Sequence, residues 1–272
     1  MNLLVIGGSG LLGREVVRRA ELADHRVTAT FHRRPAGPHA RRLDIRDRTA
    51  VAGLVARIQP EVIVNAAYRQ ADWATTADGG MHVAAAAARV GARLVHVSSD
   101  AIFSGRADSY DETAPPDPVT PYGAAKAAAE VAVRGLVADA AVVRTSLIIG
   151  AGGSVIERQV RDLATGVRDG VLFTDDIRCP VHVGDLAGAI LELTAVPGVH
   201  HVAGADAISR HELGVLIARR DGLDETALPT GSRARSGLPG ALAVRLDCAA
   251  TQARLSTVLR GARAFLSPGA RH

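Results

Sequence analysis

Leu3-Leu4-Val5-Ile6-Gly7-Gly8-Ser9-Gly10-Leu11-Leu12-Gly13 is the stretch that decides the fold. An apolar run of strand length, residues 3–6, meets a turn spaced G-x-x-G-x-x-G. Helical periodicity then runs from 11 to 23. Gly7 permits the tight turn. Gly10 lets backbone approach a pyrophosphate with no Cβ between them. Gly13 lets the helix lie close to the sheet. The helix opening, Ser9 through Leu12, offers free N–H groups and a partial positive charge to phosphates. A glycine turn with no ligand is the plain alternative. Its place between a strand and a helix is the context that marks a dinucleotide site.

Outward from this turn, apolar runs alternate with helical patterns. Strands are expected at residues 26–31, 41–43, 61–65, 93–98 and 141–145. Helices are expected at 49–58, 81–90 and 121–137. This βαβα rhythm predicts a doubly wound parallel sheet of the Rossmann type, covered on both faces. After Gly150 the rhythm loosens. Helices are expected at 155–167, 185–196 and 209–219, a strand at 199–203, and loop at 228–240. Ser209 followed by Glu212 reads as a capping box. The organisation expected is a dinucleotide-binding domain at 1–150, to which 181–203 returns, and a smaller substrate-side lobe at 151–272.

Composition excludes several classes. The 272 residues are 47% hydrophobic and only 3% aromatic, so Ala, Val and Leu must build the core. The net charge of +4 is mild, and the Arg pairs are scattered among acids. Nucleic-acid binding would need a concentrated basic stripe, so none is expected. Two distant cysteines, Cys179 and Cys248, form no framework, which suits a reducing compartment. No apolar run reaches membrane-spanning length and no signal pattern opens the chain. No membrane partner and a cytoplasmic location are the expectations.

The second strand ends Thr30-Phe31-His32-Arg33-Arg34, with two guanidiniums where a carboxylate would bind the adenosine 2′-OH. A guanidinium fork suits a 2′-phosphate. NADPH is therefore expected over NADH; exposed arginines without a ligand are the alternative. Asp44-Ile45, after the third strand, could contact adenine or simply cap a turn.

Tyr122-Gly123-Ala124-Ala125-Lys126 opens an Ala-rich helix behind Pro121. The i, i+4 spacing puts phenol and ammonium on one face. A neighbouring cation favours the phenolate, so Lys126 is expected to lower the pKa of Tyr122. In order along the chain come the glycine turn, Asn65-Ala66-Ala67, Ser98-Ser99-Asp100, and the Tyr122–Lys126 pair. This combination resembles the extended short-chain dehydrogenase/reductase superfamily. The words Val97 through Gly105, Pro121 through Glu130 and Val143-Arg144-Thr145-Ser146 are similar to its dTDP-4-dehydrorhamnose reductase branch, as are Pro180 with Val183 through Ala187, His201 through Gly204 with Ser209-Arg210, and Arg245-Leu246-Asp247 with Ala253-Arg254. The resemblance spans almost the whole chain.

The resemblance implies an NAD(P)H-dependent reductase of a keto group on a nucleotide-activated sugar. Ser99 would hydrogen-bond the reacting oxygen, Tyr122 would donate the proton, and Lys126 would tune Tyr122 and hold ribose. Asn65, Ala66, Ala67 and Ser98 would line the cofactor cleft. Two alternatives of other kinds stand beside it: a non-catalytic dinucleotide-binding regulatory subunit, and an epimerase or dehydratase. The intact Ser99, Tyr122 and Lys126 speak against the first. The missing acid at the second strand's end speaks against the second.

The chain departs from the superfamily on the helix before the fifth strand, where members carry an Asn. Thr76 and His82 are the nearest candidates for that place. Arg69, Asp100 and Arg178 are candidate substrate contacts, Arg178 because a guanidinium pairs with phosphate bidentately. Asp175-Asp176 could bind a cation or form a polar loop. His200 and His201 are adjacent and so face opposite ways on a strand. His25, His32 and His39 recur every seven residues, but across a turn and a loop. No spacing builds a metal site, and none is expected. Cys179 lacks a partner for a thiol nucleophile. A homodimer is the assembly considered.

Overall fold

The structure, a computed structural model, describes residues 1–267 apart from 36, 38, 39 and 151; His39 thus lies outside the described residues. In chain order the elements are β1 (Asn2–Ile6), α1 (Leu11–Leu22), β2 (Arg26–Phe31), β3 (Arg41–Arg42), α2 (Arg48–Ile58) and β4 (Val62–Asn65). A π-helical turn (Ala74–Asp78) runs into α3 (Gly79–Val90), then β5 (Arg93–Ser99), α4 (Pro121–Leu136) and β6 (Ala141–Thr145). The later elements are β7 (Ile148–Ile149), α5 (Val155–Ala164), β8 (Leu172–Phe173), β9 (Ile177–Arg178), β10 (Val181–His182), α6 (Val183–Glu192) and β11 (Gly198–Val202). Last come β12 (Ile208–Ser209), α7 (Arg210–Asp221), β13 (Thr230–Gly231), and the short helices α8 (Arg233–Ser236), α9 (Ala249–Gln252) and α10 (Ala262–Phe265).

Seven strands form one sheet in the order β11-β6-β5-β4-β1-β2-β3. Every pairing in it is parallel. The chain reverses direction of winding at β1, so the glycine turn opens at a crevice between β1 and β4, where such sheets bind ligands. The two-residue period of the strands sorts their side chains into two cores. Leu3, Val5, Val64, Val95 and Val143 pack under α1 and α6 through Val16, Ala20, Leu186 and Ile190. Leu4, Ile6, Ile63, Leu94 and Val142 pack under α2, α3 and α4 through Val51, Val55, Val83, Ala87 and Val133. A third cluster joins α5, α7 and α10 around Val160, Leu213, Ile217 and Phe265.

Three local expectations need correction. The helix before β5 starts at Ala74 with a π turn, well before residue 81; Gly79 and Gly80 lie within it, where a Cβ would press on Ile45 and on Ala129 and His96. Residues 228–240 are not all loop: β13 and α8 form there, and Asp175 accepts the backbone N–H groups of Arg233 and Ala234. At α7, Ser209 caps the N–H of Glu212 at 3.0 Å, but the Glu212 carboxylate turns to Arg263 at 2.5 Å, leaving half of the expected capping box. The complete box forms at α5, between Ser154 and Glu157.

Gly13 shows how tightly α1 is seated. A Cβ built there would lie 2.2 Å from the Gly7 carbonyl oxygen, a backbone atom that cannot swing away. Gly13→Ala is expected to cost about 3 kcal/mol by overpacking and to weaken dinucleotide binding with it. Thermal unfolding and NADPH titration of the variant check both.

Candidate active site

The site is built along the carboxyl ends of β1, β4 and β5. The Gly10 N–H donates to the Gly7 carbonyl at 3.0 Å, closing the turn, and α1 begins with no side-chain cap. Its first amides are therefore left for an anion. Gly7 and Gly10 open into a cleft of about 320 Å³ that runs past Thr30, His32, Arg33, Asp44, Ile45, Ala66, Ala67, Tyr68 and Arg69. Arg33 is exposed at its wall, and Arg34 is exposed one residue further on.

Asp44 lines this cleft but is engaged. Arg46 grips its carboxylate at 2.6 Å and His32 stands 3.5 Å away. The Arg46 side chain is the main cause that holds the Asp44 pKa down, to about 2. Arg69 also lines this nucleoside end. Its backbone N–H and C=O are both tied to the Thr76 hydroxyl, at 3.1 and 2.8 Å.

On the other side, Asn65 is buried and orients the turn after β4: its side-chain oxygen accepts the Ala67 N–H at 3.2 Å. Its amide meets His96 Nδ1 at 3.3 Å. His96 is wholly buried on β5, and burial pushes its pKa down to about 3, with the charge of Lys126 acting the same way. It is a neutral ring beside a lysine. The reading of the sequence overlooked it, since a single His in an apolar strand carries no local signal. Of Thr76 and His82, the candidates for the absent helix Asn, Thr76 donates its hydroxyl to the Arg69 carbonyl at 2.8 Å, and His82 Nδ1 lies 2.9 Å from the Ile45 carbonyl.

Helix α4 brings Tyr122 and Lys126 to this edge. Thr120 caps it through the Gly123 N–H at 3.1 Å, and Pro121 occupies its first turn. A Cβ at Gly123 would come within 2.0 Å of the Ala101 carbonyl. Glycine there lets the helix start press against the turn that follows β5, beside Ser99. Ser99 Oγ accepts the Ala101 N–H at 3.2 Å and donates to Asp100 Oδ1 at 3.2 Å.

The electrostatics of the pair differ from expectation. Tyr122 has its pKa raised well above the ordinary phenol value, chiefly by burial, then by Tyr68 and Asp100, with Ser99 opposing. Lys126 is buried, donates to the Val97 carbonyl at 2.8 Å, and has its pKa lowered by burial to about 8 against the pull of Glu130. Desolvation of both groups outweighs the attraction expected between them. Tyr68 was also missed: its ring lies 5.9 Å from the ring of Tyr122, and Lys126 Nζ sits 5.2 Å from its centre.

Asp100 and Arg178 do meet, but inside a buried network. Ser146 donates to Asp100 at 2.6 Å, and Arg178 Nε stands 3.7 Å from the same carboxylate. Arg178 also pairs with Asp176 at 2.8 Å and donates to the carbonyls of Ile177 and Ala241. Most of its fork is occupied by the protein itself. His200 and His201 point into separate contacts, to the Val196 carbonyl at 3.0 Å and to the Asp247 carbonyl at 3.1 Å. Burial raises the pKa of Cys179 and lifts that of Cys248 to about 12, so neither is an activated thiol. Among the described residues, no cluster of ligating side chains could hold a metal, and no helix is long and apolar enough to cross a membrane.

A doubly wound sheet with a glycine turn, and a Tyr-x-x-x-Lys helix at the same edge, define the class: the extended short-chain dehydrogenases/reductases, NAD(P)-dependent oxidoreductases. Residues 1–266 match the family described as RmlD substrate binding domain, and the chain belongs to that family. It is 33% identical over 250 residues to the dTDP-4-dehydrorhamnose reductase of Mycolicibacterium smegmatis, covering 85% of this chain and 73% of that relative. It is 30% identical over 243 residues to methionine adenosyltransferase 2 subunit beta of Rattus norvegicus, covering 80% of this chain and 71% of that one. Among solved structures, a hypothetical dTDP-4-dehydrorhamnose reductase from Sulfolobus tokodaii superposes with a TM-score of 0.83 at 27% identity, over 96% of this chain and 97% of the other.

Proposed function

We propose that the protein is an NADPH-dependent reductase of a keto group on a nucleotide-activated sugar, in the manner of a dTDP-4-dehydrorhamnose reductase. The observation that carries the reading is that Tyr122, hydrogen-bonded to Ser99, and Lys126 both stand beside Tyr68, which lines the glycine-turn cleft. The residues present fit a dinucleotide. A Cβ on Gly10 would project into the cradle, with only the Gly7 carbonyl near it, at 3.3 Å. Gly7, Ser9, Gly10, Leu11, Leu12 and Gly13 hold the pyrophosphate, and His32, Arg33, Arg34, Asp44 and Ile45 surround the adenosine. Asn65, Ala66, Ala67 and Ser98 line the path to the nicotinamide end.

The cofactor supplies the hydride. Ser99 binds and orients the carbonyl oxygen. Tyr122, kept protonated by its burial, gives its proton to that oxygen as negative charge develops there. Lys126 holds ribose and supports the phenolate left behind. Arg69, which lines the cleft, contacts the substrate. Asp100 and Arg178 shape the substrate wall from behind. Residues 1–150 with 181–203 form the dinucleotide-binding part. The remaining described residues of the 151–272 stretch form the substrate-side lobe, a division supported by the separate α5–α7–α10 cluster. The two unpaired cysteines suit a reducing cytoplasm.

A second reading, a non-catalytic dinucleotide-binding regulatory subunit, is favoured by the relative that is a subunit of an adenosyltransferase. Mixing purified protein with NADPH and dTDP-4-dehydrorhamnose separates the two. Steady loss of absorbance at 340 nm supports the reductase. NADPH binding without turnover overturns it in favour of the subunit.

The cofactor preference has its own test. A charge-assisted hydrogen bond is worth about 1.5–3 kcal/mol, roughly 10- to 100-fold in affinity. Arg33→Ser should weaken NADPH by about that factor and leave NADH binding unchanged in calorimetric titration. An equal loss for both cofactors would remove Arg33 from 2′-phosphate recognition.

A further inference from the structure

Tyr68 stands where the two halves of the site join. It follows the Asn65-Ala66-Ala67 turn, whose geometry Asn65 fixes from within the core. Its ring forms part of the cleft wall. The same ring sits 5.9 Å from that of Tyr122, tilted by 47°, and 5.2 Å from Lys126 Nζ. The residue is nonetheless 55% exposed. Its close ring and cation contacts are thus to Tyr122 and Lys126.

The Lys126 ammonium is buried, and among the described residues its hydrogen bond is to the Val97 carbonyl at 2.8 Å. An ammonium has three N–H donors, and burial with too few partners drives it toward the neutral amine. Four other groups bear on it. Glu130 on its own helix favours the cation, while the neutral His96 on β5 offers no compensating charge. Tyr122 lies one turn before it on α4. The fourth is the π face of Tyr68, which attracts a cation within about 6 Å of the ring centre.

We propose that Tyr68 is a positioning residue whose ring face keeps Lys126 charged and fixed beside Tyr122. It acts through Lys126 and takes no proton itself. This rests on the reductase reading for its consequence in catalysis, but not for the interaction. Lys126 must be an ammonium to steady the phenolate, so the ring extends the pH range over which the pair works.

The test compares Tyr68→Leu and Tyr68→Phe with wild type. Leu keeps an apolar cover and removes the π face; Phe keeps the face. The titration of Lys126 is followed by the 13Cε chemical shift in ligand-free protein. Wild type and Tyr68→Phe should titrate together near the lowered value of about 8. In Tyr68→Leu the proton affinity of Lys126 should fall about tenfold, the size of effect expected for a desolvated cation–π contact. The alkaline limb of kcat should move down the pH axis by the same factor. A series of ring-fluorinated phenylalanines at position 68 should shift the titration progressively at constant shape, which a steric role would not do. A Lys126 titration identical in wild type, Leu and fluorinated proteins overturns the proposal. If the titration shifts but even wild type shows no turnover, the positioning role stands and the reductase reading fails.

Discussion

Tyr122→Phe should lower turnover by roughly 10²–10⁴, the usual contribution of a positioned general acid, while NADPH binding stays within about twofold of wild type. Phenylalanine fills the same space, and the ring contact with Tyr68 survives. Only the proton is lost. Burial makes the phenol a weak acid in the ligand-free site. A weak acid is stable in its protonated form, which is the form that reduction consumes, and a substrate oxygen gaining negative charge supplies the driving force for transfer. The alkaline limit then comes from Lys126. Its pKa lies near 8, so the ammonium that supports the phenolate is lost as pH rises through that value, and kcat should fall with it. Measured kcat against pH for wild type, with single-turnover rates for the variant, checks both statements. A Tyr122→Phe protein that turns over at a tenth of the wild-type rate or better would remove Tyr122 from the proton step.

The strands at 26–31 and 141–145 were legible to the residue, and the glycine turn announced its place, because these signals are local. A strand buried on both faces is a run of apolar residues whatever packs on it. The groups that tune the site were not legible in the same way. Tyr68 was passed over in favour of its neighbour Arg69, because an aromatic beside a turn shows nothing of what stands across the cleft. His96 lies in an apolar strand, and only the β4–β5 register, Asn65 opposite His96, reveals its partner. The direction of the Tyr122 shift was misjudged for the same reason. Spacing along a helix reports that Lys126 is near, but burial is a property of the assembled fold, and here burial is the larger effect. Glu130 and Arg144 make the point most fully. Both stand in stretches whose wording resembles the family, fourteen residues apart, and nothing local says that they touch.

They form the buried ion pair on which α4 is hung. Arg144 Nη2 donates to Glu130 at 2.9 Å and Nε to the same carboxylate at 3.2 Å, with both side chains almost fully excluded from water. Arg144 Nη1 reaches the Ala114 carbonyl at 3.1 Å, and its guanidinium lies over Phe103, 5.2 Å from the ring centre. One guanidinium therefore ties β6, α4 and the segment between β5 and α4 into a single piece. Replacing such a pair by apolar groups of similar volume can be neutral, whereas removing one partner strands a charge in the interior. Glu130→Ala is accordingly expected to lose about 3–5 kcal/mol of stability, or roughly 10 °C in Tm. Glu130→Leu combined with Arg144→Met should recover most of that loss. The two variants should part company again in activity. Glu130 lies one turn beyond Lys126 and is the charge that opposes its deprotonation, so the double variant, though stable, should show a Lys126 titration below about 8 and a narrower alkaline range of kcat. Unfolding curves and pH profiles on the same preparations separate the scaffold role of the pair from its electrostatic one. A double variant with restored stability and an unshifted profile would confine Glu130 to the scaffold.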